Sequence, residues 1–171
     1  MSDEQPRYAV AIRRIVVAVD NSAHGLATLE QAVAIAAKRN AVIEAIFVED
    51  LNLFRLIEHP LVYHVGFSGV ASPIEASSLE ASIRTQTRRL RETVNALAAR
   101  SGIPIALHVK RGRVTEEILA AAIEADLMLI GWSSAPTQQR RRIGTTARAV
   151  ARQSHRPVLI LRQGTVVLSS P

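Results

Sequence analysis

Short apolar segments alternate with segments of helical periodicity along this chain. Five segments are rich in Val, Ile and Leu and have the length of buried strands: residues 14–20, 41–48, 103–112, 126–131 and 156–162. Between them, apolar residues recur at helical spacing in four segments: 24–39, 77–100, 114–125 and 145–155. Since a connecting helix carries the chain back to the start of a parallel neighbour, this alternation predicts an α/β fold with a parallel sheet.

We predict a three-layer, doubly wound sandwich with helices on both faces of the sheet. The sheet has five parallel strands in the order 3-2-1-4-5, and Asn40 is expected to end the first helix. The third strand alternates apolar and polar residues, which is typical of a strand near a sheet edge. Ligands of such folds bind at the carboxyl ends of the strands, where three polar stretches are expected to meet: "DNS", "ED" and "GWSS".

The length of 171 residues is enough for one domain with one core. Residues 1–171 are therefore predicted to form a single domain with an insertion at about 50–76. We expect a short helix across 50–58, and the insertion either gates the binding crevice or packs over a sheet edge. The chain has no cysteine, which excludes disulfides and cysteine-ligated zinc.

The apolar segments and the charge limit the partners of this protein. No apolar run approaches the roughly 20 residues that span a bilayer, and the start, MSDEQPRYAVAIRR, lacks a signal-peptide core. We therefore expect a soluble, cytoplasmic protein without a membrane partner. The net charge of +6 comes mostly from Arg and indicates either an anionic partner or a solvated surface. Scarce aromatic residues, and basic clusters on separate elements at 84–91 and 140–142, disfavour nucleic acid.

The stretch GWSSAPTQQRRRIGTT, from Gly131 to Thr146, is the candidate phosphate-binding element. The chain has no P-loop motif, and the first strand is followed by DNSAHG rather than G-x-G-x-x-G. Gly131 lacks a Cβ and lets the backbone approach a ligand closely. Gly144 and Thr145 start a helix with Thr146, and its free N–H groups and hydroxyls can hold an anion. Asp20, at the tip of the first strand, can accept hydrogen bonds from a ribose or a base.

These stretches resemble the universal stress protein family. Its ATP-binding members carry G-x-x-G, nine residues and then G-[S/T] after the fourth strand. This chain has Gly131, then Ser134 in place of the second glycine, then nine residues and Gly144-Thr145. The likeness covers roughly residues 13–163 apart from the insertion, through three further stretches: VVAVDNSAHGLATLEQAVAIAAKRNAVIEAIFVED, VKRGRVTEEILAAAIEADLMLIG and HRPVLILR. Trp132 also departs from the small residue usual at its position.

The resemblance implies a site for ATP or another adenine nucleotide, with or without Mg²⁺. By position, Asp20 would contact the adenosine and Val48 the base, and Gly112 matches a family glycine after the third strand. The phosphates would lie among five residues: Gly131, Ser134, Gly144, Thr145 and Thr146. The resemblance also implies a homodimer through the exposed edge of the last strand, residues 157–162, acting in stress response or signalling with at most slow ATP turnover.

Several alternatives remain open. One arginine of 140–142 either clamps the β- or γ-phosphate or belongs to a solvated loop. Ser134 and Trp132 favour a second function, that of a family member that binds no nucleotide and acts as a regulatory dimer through an unidentified protein partner. Adenylyl transfer is disfavoured, because DNSAHG matches neither the SGG nor the HIGH signature of such enzymes. His24 lies near Asp20, but the histidines lack metal-ligand spacing, so no catalytic or metal-binding residue is predicted.

Overall fold

The computed structural model describes residues 11–57, 63–65, 71–73, 76–132, 143–162 and 165–169. Strands and helices follow in this order: β1 (Arg14–Ala18), α1 (Ala23–Arg39), β2 (Val42–Asp50), α2 (Leu51–Ile57), β3 (Tyr63–Val65), β4 (Ala71–Pro73), α3 (Ala76–Ser101), β5 (Ile105–Gly112), α4 (Val114–Ala122), β6 (Leu127–Gly131), α5 (Thr145–Gln153), β7 (Val158–Arg162) and β8 (Thr165–Ser169). Among these, no helix is both long and apolar enough to cross a lipid bilayer.

The main sheet has the strand order β5-β2-β1-β6-β7-β8. Its first five strands are parallel and correspond to the predicted order 3-2-1-4-5, which confirms the doubly wound α/β fold. The sixth strand, β8, runs antiparallel to β7. The five strands predicted from the sequence do not include this strand, which spans residues 165–169.

The edge of β7 differs from the prediction. β8 pairs with β7 along its whole length, from Val158 opposite Ser169 to Arg162 opposite Thr165. The expected exposed edge at residues 157–162 is therefore wrong, because its hydrogen-bonding groups already have a partner strand within the chain. A second copy cannot pair with β7 in this arrangement, and dimerisation itself stays a prediction.

Two apolar cores lie on opposite faces of the sheet. On one face, Ile15 of β1 belongs to the same buried cluster as Leu29 of α1 and Leu90 of α3. On the other, Val16 shares a cluster with Ile118 of α4 and with α5. Because successive residues of a strand point to opposite faces, the part of a central strand covered by helices on both sides must be apolar, as β1 is from Ile15 to Ala18.

The insertion contributes one helix and two short strands. Helix α2 follows β2 directly, which confirms the short helix predicted across 50–58. Strands β3 and β4 form a separate antiparallel hairpin, with Tyr63 opposite Pro73. The other residues of the insertion lie outside the described part of the chain, so its gating role stays a prediction.

Paired polar groups hold the amino end of the sheet. Asp126 Oδ2 accepts hydrogen bonds from the backbone N–H groups of Arg13 at 2.8 Å and Arg14 at 2.9 Å. These bonds stabilise the charged carboxylate and thereby lower the pKa of Asp126. The Arg14 guanidinium pairs with Glu44 at 3.1 Å and with Glu124. Together these contacts join the start of β1 to β2 and to the segment that precedes β6.

Candidate functional site

A cavity of about 1370 Å³ lies at the carboxyl end of the parallel sheet. Its described walls come from the ends of β1, β2 and β6 and from the starts of α1, α4 and α5. β1 has β2 on one side and β6 on the other, so connections leave it in opposite directions and open a crevice between the strand ends. Most of the predicted site residues line this cavity: Asp20, Val48, Gly131, Gly144, Thr145 and Thr146.

The turn between β1 and α1 holds Asp20 on the cavity wall. Asp20 Oδ1 accepts hydrogen bonds from the backbone N–H of Ser22 at 3.0 Å and from the Ser22 hydroxyl. Ser22 is the N-cap of α1, and its Oγ accepts from the backbone N–H of Gly25 at 3.0 Å. Asp20 Oδ2 receives no hydrogen bond from the described residues, so this oxygen is available to a ligand.

Gly25 packs directly against this turn. A Cβ at Gly25 would lie 2.4 Å from Asp20 Oδ1, 2.6 Å from the Asp20 carbonyl oxygen and 2.8 Å from its backbone nitrogen. Real side chains do not approach backbone atoms this closely, so any other residue would displace Asp20. The glycine of DNSAHG therefore fixes the position of the carboxylate.

Two predicted glycines have different surroundings. Gly131 lines the cavity, and a Cβ there would meet Thr28 Oγ1 at 3.4 Å and His24 Cβ at 3.6 Å, so helix α1 leaves room for a methyl group. Gly112 is not among the residues that line the cavity, and a Cβ there would come within 2.5 Å of Glu117 Oε1. We therefore attribute the glycine at 112 to packing between β5 and α4, and its contact with a ligand stays a prediction.

Two backbone hydrogen bonds hold the ends of the phosphate-binding element together. The Trp132 N–H donates to the Leu161 carbonyl at 2.8 Å, and the Gly144 N–H donates to the Trp132 carbonyl at 2.7 Å. The end of β6 and the start of α5 are therefore neighbours. Ser134 and the arginines at 140–142 lie outside the described residues, and their roles stay predictions.

The start of α5 presents hydrogen-bond donors at the cavity. Gly144 is the N-cap without a side-chain capping bond, and the first turn contains no acidic residue. The early backbone N–H groups of a helix lack carbonyl partners within it and form its positive end. Thr145 and Thr146 add hydroxyls to the same wall, and the exposed side chain of Arg148 lines it as well.

The two acidic residues that end β2 have separate surroundings. Asp50 lines the cavity, and its Oδ1 accepts from the backbone N–H and the side-chain amide of Asn52, both at 2.9 Å. Glu49 is not a cavity residue. Its carboxylate pairs with Arg111 at 3.0 and 3.1 Å and accepts from the Thr87 hydroxyl at 3.2 Å, which ties β2 to β5 and α3.

The indole of Trp132 forms part of the cavity wall near α5. The Arg162 guanidinium carbon lies over it, 5.5 Å from the ring centroid, and Ile143 belongs to the same apolar cluster. The indole Nε1 is buried and has no hydrogen-bond partner among the described residues. Trp132 is the only tryptophan of the chain, so its fluorescence reports on the cavity.

Sequence reasoning missed three residues of this region. Ser22 carried a usable signal, since Ser immediately before a helix is a frequent N-cap. Arg148 also carried one, because a cation near the start of a helix opposes its dipole. Gly25 had no comparable signal, because its requirement comes from a close approach to Asp20 that spacing alone does not reveal.

The cavity wall carries charges of both signs. The carboxylates of Asp20 and Asp50 line it from the ends of β1 and β2, and the start of α5 and Arg148 line it from a helix. Such a cavity suits a ligand with hydroxyl or amine donors at one end and an anionic group at the other.

Comparisons with known proteins agree with this architecture. The family model described as "Universal stress protein family" matches residues 11–162. The universal stress protein UspA from Lactobacillus plantarum is 23% identical with a TM-score of 0.66, and the match covers 88% of this chain and 98% of that one. A search of curated proteins found no match.

Two further solved structures contain adenine nucleotides. A universal stress protein in complex with cAMP is 24% identical with a TM-score of 0.59, covering 89% of this chain and 98% of the other. The universal stress protein from Archaeoglobus fulgidus in complex with dAMP is 20% identical with a TM-score of 0.53, covering 89% and 99%. These similarities concern the fold, whereas the match over residues 11–162 establishes that the chain belongs to the universal stress protein family.

Proposed function

We propose that this chain binds an adenine nucleotide, with ATP as the first candidate, in the cavity at the carboxyl end of its sheet. The observation that carries the proposal is that one cavity joins Asp20 to the start of α5, so a carboxylate and a set of anion-binding N–H groups face the same space. The cAMP and dAMP complexes of similar folds support the same ligand class without selecting one member.

Each end of a nucleotide has a matching wall in this proposal. Asp20 Oδ2 accepts a hydrogen bond from a ribose hydroxyl, and the half-buried Val48 side chain packs against the base. The phosphates lie against Gly144, Thr145 and Thr146, where backbone N–H groups and hydroxyls donate to their oxygens.

We infer a binding role in stress response or signalling, with at most slow ATP turnover. In the part of the chain that the structure describes, two carboxylates line the cavity. Both serve local turns, Asp20 with Ser22 and Asp50 with Asn52, which does not favour a general base. Among the described residues, no group of three acidic or histidine side chains could hold a metal ion. Any Mg²⁺ would therefore be held mainly by phosphate oxygens and water.

Titration of the purified chain with ATP and with AMP tests the proposal. Binding is followed by calorimetry and by Trp132 fluorescence, and mass spectrometry identifies small molecules released from the purified protein. Asp20→Asn keeps an oxygen for Ser22 but removes the charge, so we expect affinity to fall about tenfold or more. Asp126→Asn, at the opposite end of the sheet, is the matched control and is expected to bind like the wild type. Wild-type protein that shows no heat, no fluorescence change and no co-purified nucleotide refutes the proposal.

The second candidate function is a regulatory dimer that binds no nucleotide. Trp132 favours it, because a bulky indole takes up part of the cavity wall. Since β8 covers β7, self-association through the sheet would use the outer edge of β8, which has no partner strand among the described residues. Sedimentation velocity over a range of concentrations tests this dimer. A monomer that binds ATP argues against the second candidate.

A further inference from the structure

We infer that Arg148 contacts the terminal phosphate of a bound nucleotide and makes the site prefer nucleotides with two or more phosphates over monophosphates. This inference rests on the proposed adenine-nucleotide binding and deepens it. Arg148 lines the cavity, and its backbone N–H donates to the Gly144 carbonyl at 3.0 Å, which fixes it one turn after the start of α5.

The hydrogen bonds at the start of α5 decide which groups remain for phosphate. The Gly144 N–H already donates to the Trp132 carbonyl, and the Arg148 N–H donates within the helix. The backbone N–H groups of Thr145, Thr146 and Ala147 are therefore the free donors of the first turn. Three neighbouring N–H groups and two hydroxyls can hold one phosphate group, so a further phosphate must find its partners elsewhere.

The Arg148 side chain is suited to be that partner. It is exposed yet lines the cavity, so it lies towards the opening, where the end of a phosphate chain would project. A guanidinium binds phosphate through two parallel hydrogen bonds, which a monophosphate already held by the helix start would not require.

The charges around Arg148 also favour an anion. The cation lies near the positive end of α5, and the first turn contains no acidic residue. Within the described part of the chain, the Arg148 guanidinium makes no ion pair or hydrogen bond. The indole of Trp132 lines the same cavity, and its buried Nε1 likewise has no partner among the described residues. An unpaired guanidinium on the cavity wall points to an anionic ligand.

Affinities of three variants for ATP, ADP and AMP at fixed ionic strength test the inference. For Arg148→Ala we expect ATP and ADP to bind about tenfold more weakly while AMP changes less than about twofold, because a charge-assisted phosphate contact is lost. Arg148→Lys keeps the charge and should restore part of the loss. Arg152→Ala removes the same charge one turn further along, away from the cavity, and is expected to bind all three nucleotides like the wild type. Circular dichroism verifies that each variant is folded.

The outcomes separate the inference from the proposed function. A wild-type protein that binds no adenine nucleotide refutes both. A wild-type protein that binds ATP and AMP, with an ATP-to-AMP affinity ratio unchanged in Arg148→Ala, refutes the inference alone. An equal loss in Arg152→Ala also overturns it, because the effect would then come from overall charge rather than from a contact.

Discussion

The two ends of the parallel sheet both carry charged side chains, but they use them differently. At the amino end, Asp126 accepts two backbone N–H groups, and Arg14 pairs with two carboxylates. At the carboxyl end, Arg148, Asp20 Oδ2 and Trp132 Nε1 have no partner among the described residues, although all three residues line one cavity. Polar groups that hydrogen-bond to one another stabilise a fold, whereas donors and acceptors without partners around a cavity can bind a ligand.

The largest effect on both stability and nucleotide binding is expected at Gly25. Gly25→Ala places a methyl group against the backbone of Asp20, so we expect a loss of about 1–3 kcal/mol in unfolding free energy and much weaker nucleotide binding. Chemical denaturation and titration measure the two losses. Gly131→Ala is the control for stability alone, because its methyl group meets α1 at ordinary contact distances and the fold should tolerate it. A Gly25→Ala protein as stable as the wild type would contradict the geometry of this turn.

A smaller effect, confined to stability, is expected at the amino end. Asp126→Ala removes the acceptor of two partly exposed N–H groups, and we expect a loss of about 1 kcal/mol at pH 7, or about 2–4 °C in Tm, with nucleotide affinity unchanged. Altered nucleotide binding in this variant would contradict the assignment of a purely stabilising role to the amino end of the sheet.

The same variant has a defined pH dependence. The folded-state pKa of Asp126 lies below its unfolded value of about 3.9, so its stabilisation is fully present above that pH and is lost as the pH falls through the folded pKa. Urea unfolding at pH 7, 5 and 3 should therefore show the difference between wild type and variant shrinking at the lowest pH. A difference that stays constant or grows towards pH 3 would be inconsistent with this assignment.

The smallest effect is expected for Trp132→Phe. Phenylalanine keeps an aromatic ring beneath Arg162 but removes the unpaired Nε1, so the free protein should be unchanged or more stable by less than about 1 kcal/mol. If a ligand oxygen accepts from Nε1, affinity falls several-fold in this variant. Calorimetry is the appropriate measurement, since the substitution removes the fluorophore.

The sequence predicted the parallel strands, their order and most helix ends. Those features follow from periodicity and local chemistry: Asn40, after two basic residues, indeed ends α1 with a left-handed φ of 53°. It also placed Asp20 and the start of α5 in one hollow, because topology brings the carboxyl ends of parallel strands together. The pairing of β8 with β7 could not be predicted from the sequence, because the edge of an apolar strand pairs equally well with its own chain or with a second copy.

The hydrogen bond from the Gly144 N–H to the Trp132 carbonyl joins the start of α5 directly to the end of β6. A backbone contact of this kind sets the spacing between a strand end and a helix start. It keeps the anion-facing turn of α5 in register with β6, so the donors of Thr145 and Thr146 hold a fixed position beside the strand ends that line the cavity.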